Sequence, residues 1–142
     1  MYLLRTEAAF DSAHFLKGYE GKCANLHGHR WRMVIEVGGE QLQEEGDQKG
    51  MLVDFADLKA AVRNLADSLD HRLLIEDSSL KPETISALVG EGFTLLSLPF
   101  RPTAENLARY LYKEIQALGF PLLSVTVYET PDNCAVYQEG QA

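Results

Sequence analysis

Apolar and polar residues alternate along four segments of the chain, which predicts four β-strands. The clearest segment is His27–Gly39, where every second residue from His27 to Val37 belongs to one face. Less regular patterns predict strands at Tyr2–Phe10, Leu122–Glu129 and Cys134–Gln138. The last two strands flank Thr130-Pro131-Asp132-Asn133, whose residue types favour a hairpin turn.

Two other segments carry apolar residues at spacings of three and four, which predicts helices with one buried face. The first helix begins after Asp54, an N-cap residue, and should end at or near Asp70-His71. The second begins after Thr103 and should stop at Gly119. Between the helices, Ile75–Pro102 has no clear period, although the apolar run Phe93–Leu98 favours a short extra strand.

The order β-β-α-(insert)-α-β-β predicts an α+β fold, with an antiparallel sheet covered on one face by two helices. A length of 142 residues favours one domain over residues 1–142. The apolar fraction of 46% and the charged fraction of 24% are ordinary for a globular protein.

The net charge, the lack of a long apolar run and the number of cysteines bear on the possible binding partners and cellular compartment. The formal net charge of −8 opposes general binding to nucleic acid or to an anionic membrane. The chain lacks an apolar run long enough for a membrane span, and its first residues do not form an export signal. With only two cysteines, Cys23 and Cys134, we expect a cytoplasmic protein without a disulfide framework, in which Cys134 is a small core residue.

The four histidines are the strongest chemical signal. His27 and His29 lie two apart on the same face of a predicted strand, with Cα atoms roughly 6.5–7 Å apart. His14 follows the neighbouring strand and could complete a set of three. Three imidazoles with one open position are typical of a catalytic zinc site. Imidazole ligands also suit iron, copper and nickel, so the residues alone predict a metal site rather than one metal.

Cys23 allows two interpretations. As a fourth zinc ligand it would close the site and make it structural. As a nucleophile or proton-transfer group it would need activation by a nearby base or cation. The flexible, glycine-containing loop around it favours the reactive interpretation.

Two further sites contain acidic residues. Asp70-His71 has the composition of a proton-relay pair, although a histidine at a helix end is more often a cap. Glu129 extends the apolar face of the strand Leu122–Glu129. One interpretation is a carboxylate that accepts two parallel N–H bonds from a guanidine-like edge of a ligand, and the other is a strand end that has already reached solvent.

Six motifs, in the same order along the chain, resemble those of the 6-pyruvoyl-tetrahydropterin synthase family, which includes the bacterial 6-carboxytetrahydropterin synthases of queuosine and deazapurine biosynthesis. The motifs are Phe10-Asp11-Ser12-Ala13-His14, Cys23-x-x-x-His27-Gly28-His29, Gly50-Met51-Leu52-Val53-Asp54-Phe55-x-x-Leu58-Lys59, Leu69-Asp70-His71, Pro102-Thr103-x-Glu105-Asn106 and Tyr128-Glu129-Thr130. Two features depart from the family pattern: Arg72 rather than an Asn-containing turn follows His71, and Ser78–Arg101 is longer than the family linker.

The resemblance implies a T-fold that assembles as a homohexamer, a dimer of trimers. It implies Zn²⁺ on His14, His27 and His29, and Cys23 as the acid–base group coupled to Asp70 and His71. It also implies that Glu129 anchors a small-molecule pterin, with Thr103 and Thr130 in the same pocket.

The implied reaction converts 7,8-dihydroneopterin triphosphate into 6-carboxytetrahydropterin with release of acetaldehyde and triphosphate. The alternative within the family is 6-pyruvoyltetrahydropterin formation by triphosphate elimination. The alternative of another class is a non-catalytic binding module stabilised by zinc.

Overall fold

The computed structural model describes residues 1–140, which form one mixed six-stranded sheet with three α-helices. The elements are β1 (Tyr2–His14), β2 (His27–Gly39), α1 (Phe55–Leu69), β3 (Arg72–Glu76), α2 (Pro82–Gly90), β4 (Leu95–Leu98), α3 (Ala104–Gln116), β5 (Leu122–Tyr128) and β6 (Cys134–Tyr137). The strands lie in the order β4-β3-β1-β2-β5-β6. The α+β class predicted from the element order is therefore confirmed.

The two longest strands form an antiparallel pair whose register runs from Tyr2 opposite Gly39 to His14 opposite His27. The predicted bounds of β2 match the structure. β1 continues four residues beyond the predicted end at Phe10, because its backbone stays paired with β2. The polar residues Asp11 and Ser12 hide this extension from the hydrophobic pattern.

One face of the sheet carries the hydrophobic core. Alternate β2 residues from Trp31 to Val37 are fully buried on this face, as the sequence predicted. The buried residues of α1 and α3 belong to the same cluster, so both helices cover this face. Burying apolar side chains between a sheet and two helices is the main favourable term for a domain of this size.

Both predicted helix starts are confirmed at atomic detail. The Asp54 carboxylate accepts a hydrogen bond from the Ala56 N–H at 2.8 Å. The Thr103 hydroxyl accepts one from the Asn106 N–H at 3.2 Å. Each cap satisfies an N–H group that has no acceptor within its helix.

The segment between α1 and α3 corrects two details of the sequence prediction. The antiparallel arrangement holds for β1, β2, β5 and β6, but β3 pairs parallel with β1 and β4 pairs parallel with β3. The connection also contains α2, a third helix. Its nine residues carry only a short apolar set, Ile85, Leu88 and Val89, and none of its residues is buried, unlike the long apolar stripes of the other two helices.

The strand predicted near Phe93–Leu98 exists as β4. β3 was missed because its apolar residues Leu73, Leu74 and Ile75 are consecutive and do not alternate with polar ones. The expectation for Cys134 was wrong: its side chain is exposed on β6, which lies at the edge of the sheet. None of the helices within residues 1–140 is both long and apolar enough to cross a membrane.

Candidate metal centre and adjoining cavity

The β1–β2 pairing brings the three predicted ligand histidines together. His14 and His27 are direct partners across the two strands, and His29 is the next residue on the same face of β2. One ring nitrogen from each histidine and one carboxylate oxygen of Glu129 all lie within 4.8 Å of one another. The cluster of His14, His27, His29 and Glu129 could therefore hold a metal ion.

Backbone carbonyls fix the orientation of two of these rings. His14 Nδ1 donates to the Pro102 carbonyl at 2.7 Å, and His27 Nδ1 donates to the Asn25 carbonyl at 2.6 Å. With Nδ1 protonated, each neutral ring presents an unprotonated Nε2, which is the tautomer a metal requires. The two Nε2 atoms face each other at 3.0 Å, an arrangement that a shared cation would stabilise.

Burial favours the neutral form of His14 and His29. Desolvation lowers the pKa of His14, which is 1% exposed, although its bond to the Pro102 carbonyl acts in the opposite direction. Desolvation also lowers the pKa of His29, against the raising effect of the Glu129 carboxylate. Neutral rings favour metal binding, since protonated imidazole cannot act as a ligand.

Glu129 follows β5 directly and continues its buried face, on which Val125 and Val127 are fully buried. Its Oε1 lies 3.0 Å from His29 Nε2 and 3.4 Å from His14 Nε2, and its side chain is 30% exposed. The structure therefore places the carboxylate at the histidine cluster and not out in solvent, while its binding of a guanidine-like edge stays a prediction.

The fit to a metal is supported by an unpartnered atom. His29 Nε2 is buried and makes no hydrogen bond with suitable geometry, even though Glu129 Oε1 is nearby. An imidazole nitrogen left without a partner in a buried site is costly. Three imidazole nitrogens and one carboxylate oxygen form a donor set suited to zinc and to several other divalent ions.

Trp31 forms an apolar wall beneath the cluster, a contribution that the sequence did not reveal. Its rings lie edge-on to His14 and His29, at centroid distances of 4.9 and 5.3 Å. The indole N–H donates to the Ser12 carbonyl at 3.2 Å, which holds the ring in place. The position of Trp31, two residues after His29 on an alternating strand, was the available signal.

A cavity of about 500 Å³ adjoins the cluster and is lined in part by Gly28, His29, Arg32, Glu129 and Thr130. Its cationic side chains are already paired within the chain. Arg30 contacts Asp11 at 2.8 Å and Arg32 contacts Glu7 at 2.7 Å, while the Arg32 guanidinium also stacks on Tyr128. These two arginines therefore do not form an isolated cationic cluster for an anion.

The Asp70–His71 pair lies at the end of α1, where it anchors that helix to β1. One Asp70 carboxylate oxygen accepts from the Asp11 N–H at 2.7 Å, and the other lies 2.9 Å from His71 Nδ1. The first of these bonds, helped by His71, lowers the pKa of Asp70. The His71 ring is 79% exposed and borders a second groove of about 580 Å³, which His29 also lines.

Cys23 lies in the loop between β1 and β2, outside the histidine–carboxylate cluster. It is half-buried in a single 3-10 turn, Lys22–Ala24. It is not part of the group of possible metal ligands, in which Glu129 takes the fourth place. Within residues 1–140, no hydrogen bond joins Cys23 to Asp70 or His71, so the relay that the resemblance implies stays a prediction.

Thr103 and Thr130 both have local structural partners. The Thr103 hydroxyl caps α3. The Thr130 hydroxyl accepts from the Asn133 N–H at 3.1 Å and so closes the turn before β6, while the residue also lines the cavity beside Glu129. Thr130 is therefore placed for the predicted pocket, whereas the bond seen for Thr103 supports the helix.

The fold and the site together define an α+β domain with a histidine–carboxylate cluster suited to a metal. The chain matches the family described as 6-pyruvoyl tetrahydropterin synthase over residues 3–140. It therefore belongs to this family, which confirms the resemblance and the T-fold expectation.

Relatives and solved structures resemble the chain along nearly its whole length. It is 34% identical to the 6-carboxy-5,6,7,8-tetrahydropterin synthase of Haemophilus influenzae, covering 98% of this chain and 100% of the relative. The protein of the same name from Synechocystis is 32% identical, covering 96% of this chain and 93% of the relative.

Among solved structures, 6-pyruvoyl tetrahydropterin synthase of Caenorhabditis elegans superposes with a TM-score of 0.69 at 26% identity, covering 98% and 96% of the two chains. An uncharacterized protein of Wolinella succinogenes superposes with a TM-score of 0.80 at 24% identity, covering 98% of both chains. The second likeness concerns the fold alone.

Proposed function

We propose that the protein is a zinc-dependent 6-carboxy-5,6,7,8-tetrahydropterin synthase. In this proposal it converts 7,8-dihydroneopterin triphosphate into 6-carboxytetrahydropterin, and it releases acetaldehyde and triphosphate, in queuosine or deazapurine biosynthesis. The observation that carries the proposal is the match of nearly the whole chain to relatives bearing that name. The histidine cluster beside a cavity supports it independently.

The metal would be held by His14, His27 and His29, and as a Lewis acid it would stabilise negative charge on the oxygens of the substrate side chain. The carbonyl bonds to His14 and His27 prepare two of these ligands before any metal arrives. In the proposal, the buried Trp31 wall limits water on one side of the site, which strengthens electrostatic interactions there.

Glu129 would anchor the pterin ring, because a carboxylate matches the two parallel N–H groups of a guanidine-like edge. Its place on the wall of the cavity supports this role, and Thr130 lines the same cavity. Thr103 would contribute from the start of α3. Cys23 would transfer protons between side-chain carbons, with Asp70 and His71 as its relay.

The proposed assembly is a cytoplasmic homohexamer, a dimer of trimers. Membership of the family supports this assembly, which the resemblance of the motifs implies. Sedimentation of the purified protein would measure the mass directly. A monomer at working concentration would contradict this part of the proposal.

The reaction is tested by incubating the metal-loaded protein with 7,8-dihydroneopterin triphosphate and identifying the products by mass spectrometry. We expect 6-carboxytetrahydropterin and acetaldehyde. A 6-pyruvoyl product would establish the alternative reaction of the family. Unreacted substrate with metal bound would instead support the zinc-stabilised binding module.

A further inference from the structure

Glu129 occupies a position from which it could serve two different partners. On one side its carboxylate oxygen completes the cluster with His14, His27 and His29. On the other side the residue lines the cavity of about 500 Å³ that is proposed to take the pterin. We propose that the Glu129 carboxylate is the fourth metal ligand in the substrate-free protein and leaves the metal when a pterin enters the cavity. This inference rests on the proposed function.

The distances suit a closed four-ligand site. Ligands about 2.0–2.1 Å from a tetrahedral metal lie roughly 3.3–3.4 Å from one another. Oε1 of Glu129 is 3.0 Å from His29 Nε2 and 3.4 Å from His14 Nε2, and the two nitrogens of His14 and His27 are 3.0 Å apart. These three separations lie within about 0.4 Å of the tetrahedral value, and all four atoms lie within 4.8 Å of one another, so modest side-chain adjustments could place them around one ion.

The contact between Glu129 and His29 is not an ordinary hydrogen bond. The two atoms are close, yet the His29 nitrogen remains without a partner of suitable geometry. Glu129 Oε1 and His29 Nε2 therefore lie on either side of a shared position and do not form a direct hydrogen bond of suitable geometry. A cation at that position would satisfy the buried nitrogen and the carboxylate together.

The four groups differ in how firmly they are held. His14 is 1% exposed, and both His14 and His27 are fixed by carbonyl bonds. Within residues 1–140, no hydrogen bond with suitable geometry holds the Glu129 carboxylate, and its side chain is 30% exposed on the cavity side. Glu129 is thus less firmly held than His14 and His27, and its side chain is more exposed than that of His29, which is 18% exposed.

A single carboxylate cannot serve both partners fully. Hydrogen bonding to the two N–H groups of a guanidine-like edge uses both carboxylate oxygens, whereas coordination of the metal occupies at least one of them. Pterin binding should therefore withdraw Glu129 and open one position on the metal at the moment when a substrate is present to use it. Such an exchange would keep the fourth position closed in the empty protein.

The exchange can be followed without turnover in the Co²⁺-substituted protein, whose visible absorption reports the ligands of the metal. The probe is unsubstituted pterin, which has no side-chain hydroxyls to bind the metal itself. Binding of the probe is measured separately by fluorescence. We expect saturation with pterin to change the cobalt spectrum of the wild-type protein, and the change should follow the binding curve.

The variant E129Q should bind Co²⁺ at least ten-fold more weakly, and its spectrum should not change when pterin is added. The matched control E114Q removes an exposed carboxylate far along α3 from the cluster and should behave as the wild type. Circular dichroism of each variant checks that it is folded.

Two results would overturn the inference while leaving the proposed function intact. One is bound pterin with no change in the wild-type cobalt spectrum. The other is an unaltered cobalt spectrum and affinity in folded E129Q. If pterin does not bind the wild-type protein at all, the proposed pterin site fails as well, and the ligand exchange fails with it.

Discussion

Replacing Cys23 by alanine separates a catalytic cysteine from a structural one. The possible metal ligands are three histidines and Glu129, and Cys23 is not among them. The substitution removes only the sulfur, while the bond between the Leu16 N–H and the Cys23 carbonyl at 3.0 Å remains available. We therefore expect the metal dissociation constant of C23A to stay within about three-fold of the wild-type value, and turnover to be lost.

The comparison variant is H27A, which removes a ligand from the cluster. Structural zinc sites with four ligands bind with roughly 10–16 kcal/mol, or about 2.5–4 kcal/mol for each ligand. Since 1.4 kcal/mol corresponds to a factor of ten, H27A should bind zinc about 100- to 1000-fold more weakly.

The assay is competition for zinc with a chelator of known affinity, performed on both variants beside the wild type. Turnover is followed on the same samples by formation of the pterin product. Weakening of zinc binding in C23A by two orders of magnitude would refute the reasoning and identify Cys23 as a ligand. Full turnover in C23A with zinc retained would refute its assignment as the acid–base group.

Three further predictions concern the elements that support the site. T103A removes the side-chain cap of α3 and should lower the free energy of unfolding by about 1 kcal/mol, or the Tm by roughly 3–5 °C. T103S keeps a hydroxyl and should retain the wild-type Tm, so equal Tm values for the two variants would contradict the capping role. D70N should cost about 1 kcal/mol at neutral pH, because the partly exposed carboxylate accepts the Asp11 N–H. Because folding lowers the pKa of Asp70, its contribution to the free energy of unfolding is present above the unfolded pKa near 3.9 and is lost as pH falls through the folded pKa. Urea titrations of D70N and the wild type check this, and a difference in stability that persists below that pH range would exclude the explanation. G28A should keep its stability within about 0.5 kcal/mol, since the new Cβ would make ordinary contacts with the Ser12 carbonyl oxygen at 3.5 Å and with Ala13 Cα at 3.9 Å. It should nevertheless weaken pterin binding because Gly28 lines the cavity, and a pterin titration that shows unaltered affinity would place the pterin elsewhere.

The sequence predicted those parts of the fold that depend on local pattern. Strand β2 was recovered with its bounds because its alternation is nearly perfect, and α1 and α3 were recovered because each pairs an apolar stripe with a capping residue. The same reasoning could not recover α2, which buries no residue, or the parallel pairing of β3. Parallel pairing joins strands that are distant in sequence, so no local pattern records it.

The candidate site, like the fold, could be predicted from the sequence only in part. The spacing of His27 and His29 placed two imidazoles on one face, and the end of the neighbouring strand offered His14 as the third. The family motifs added Glu129 as the anchor of the pterin. The sequence left the relation between Glu129 and the metal open, because alternation along β5 gives its face but not its neighbours across the sheet.

By itself, the sequence determined α1, α3 and most of the strands, the shared face of His27 and His29, and membership of a pterin synthase family through ordered motifs. Only the tertiary structure decided that Glu129 lies 3.0 Å from His29, that the Pro102 carbonyl orients His14, and that Glu129 rather than Cys23 joins the histidine cluster. The physical reason is the distance along the chain over which each kind of interaction acts. Side-chain periodicity follows from the local backbone geometry, whereas ligand distances and hydrogen-bond partners arise where β1, β2, β5 and the start of α3 pack together.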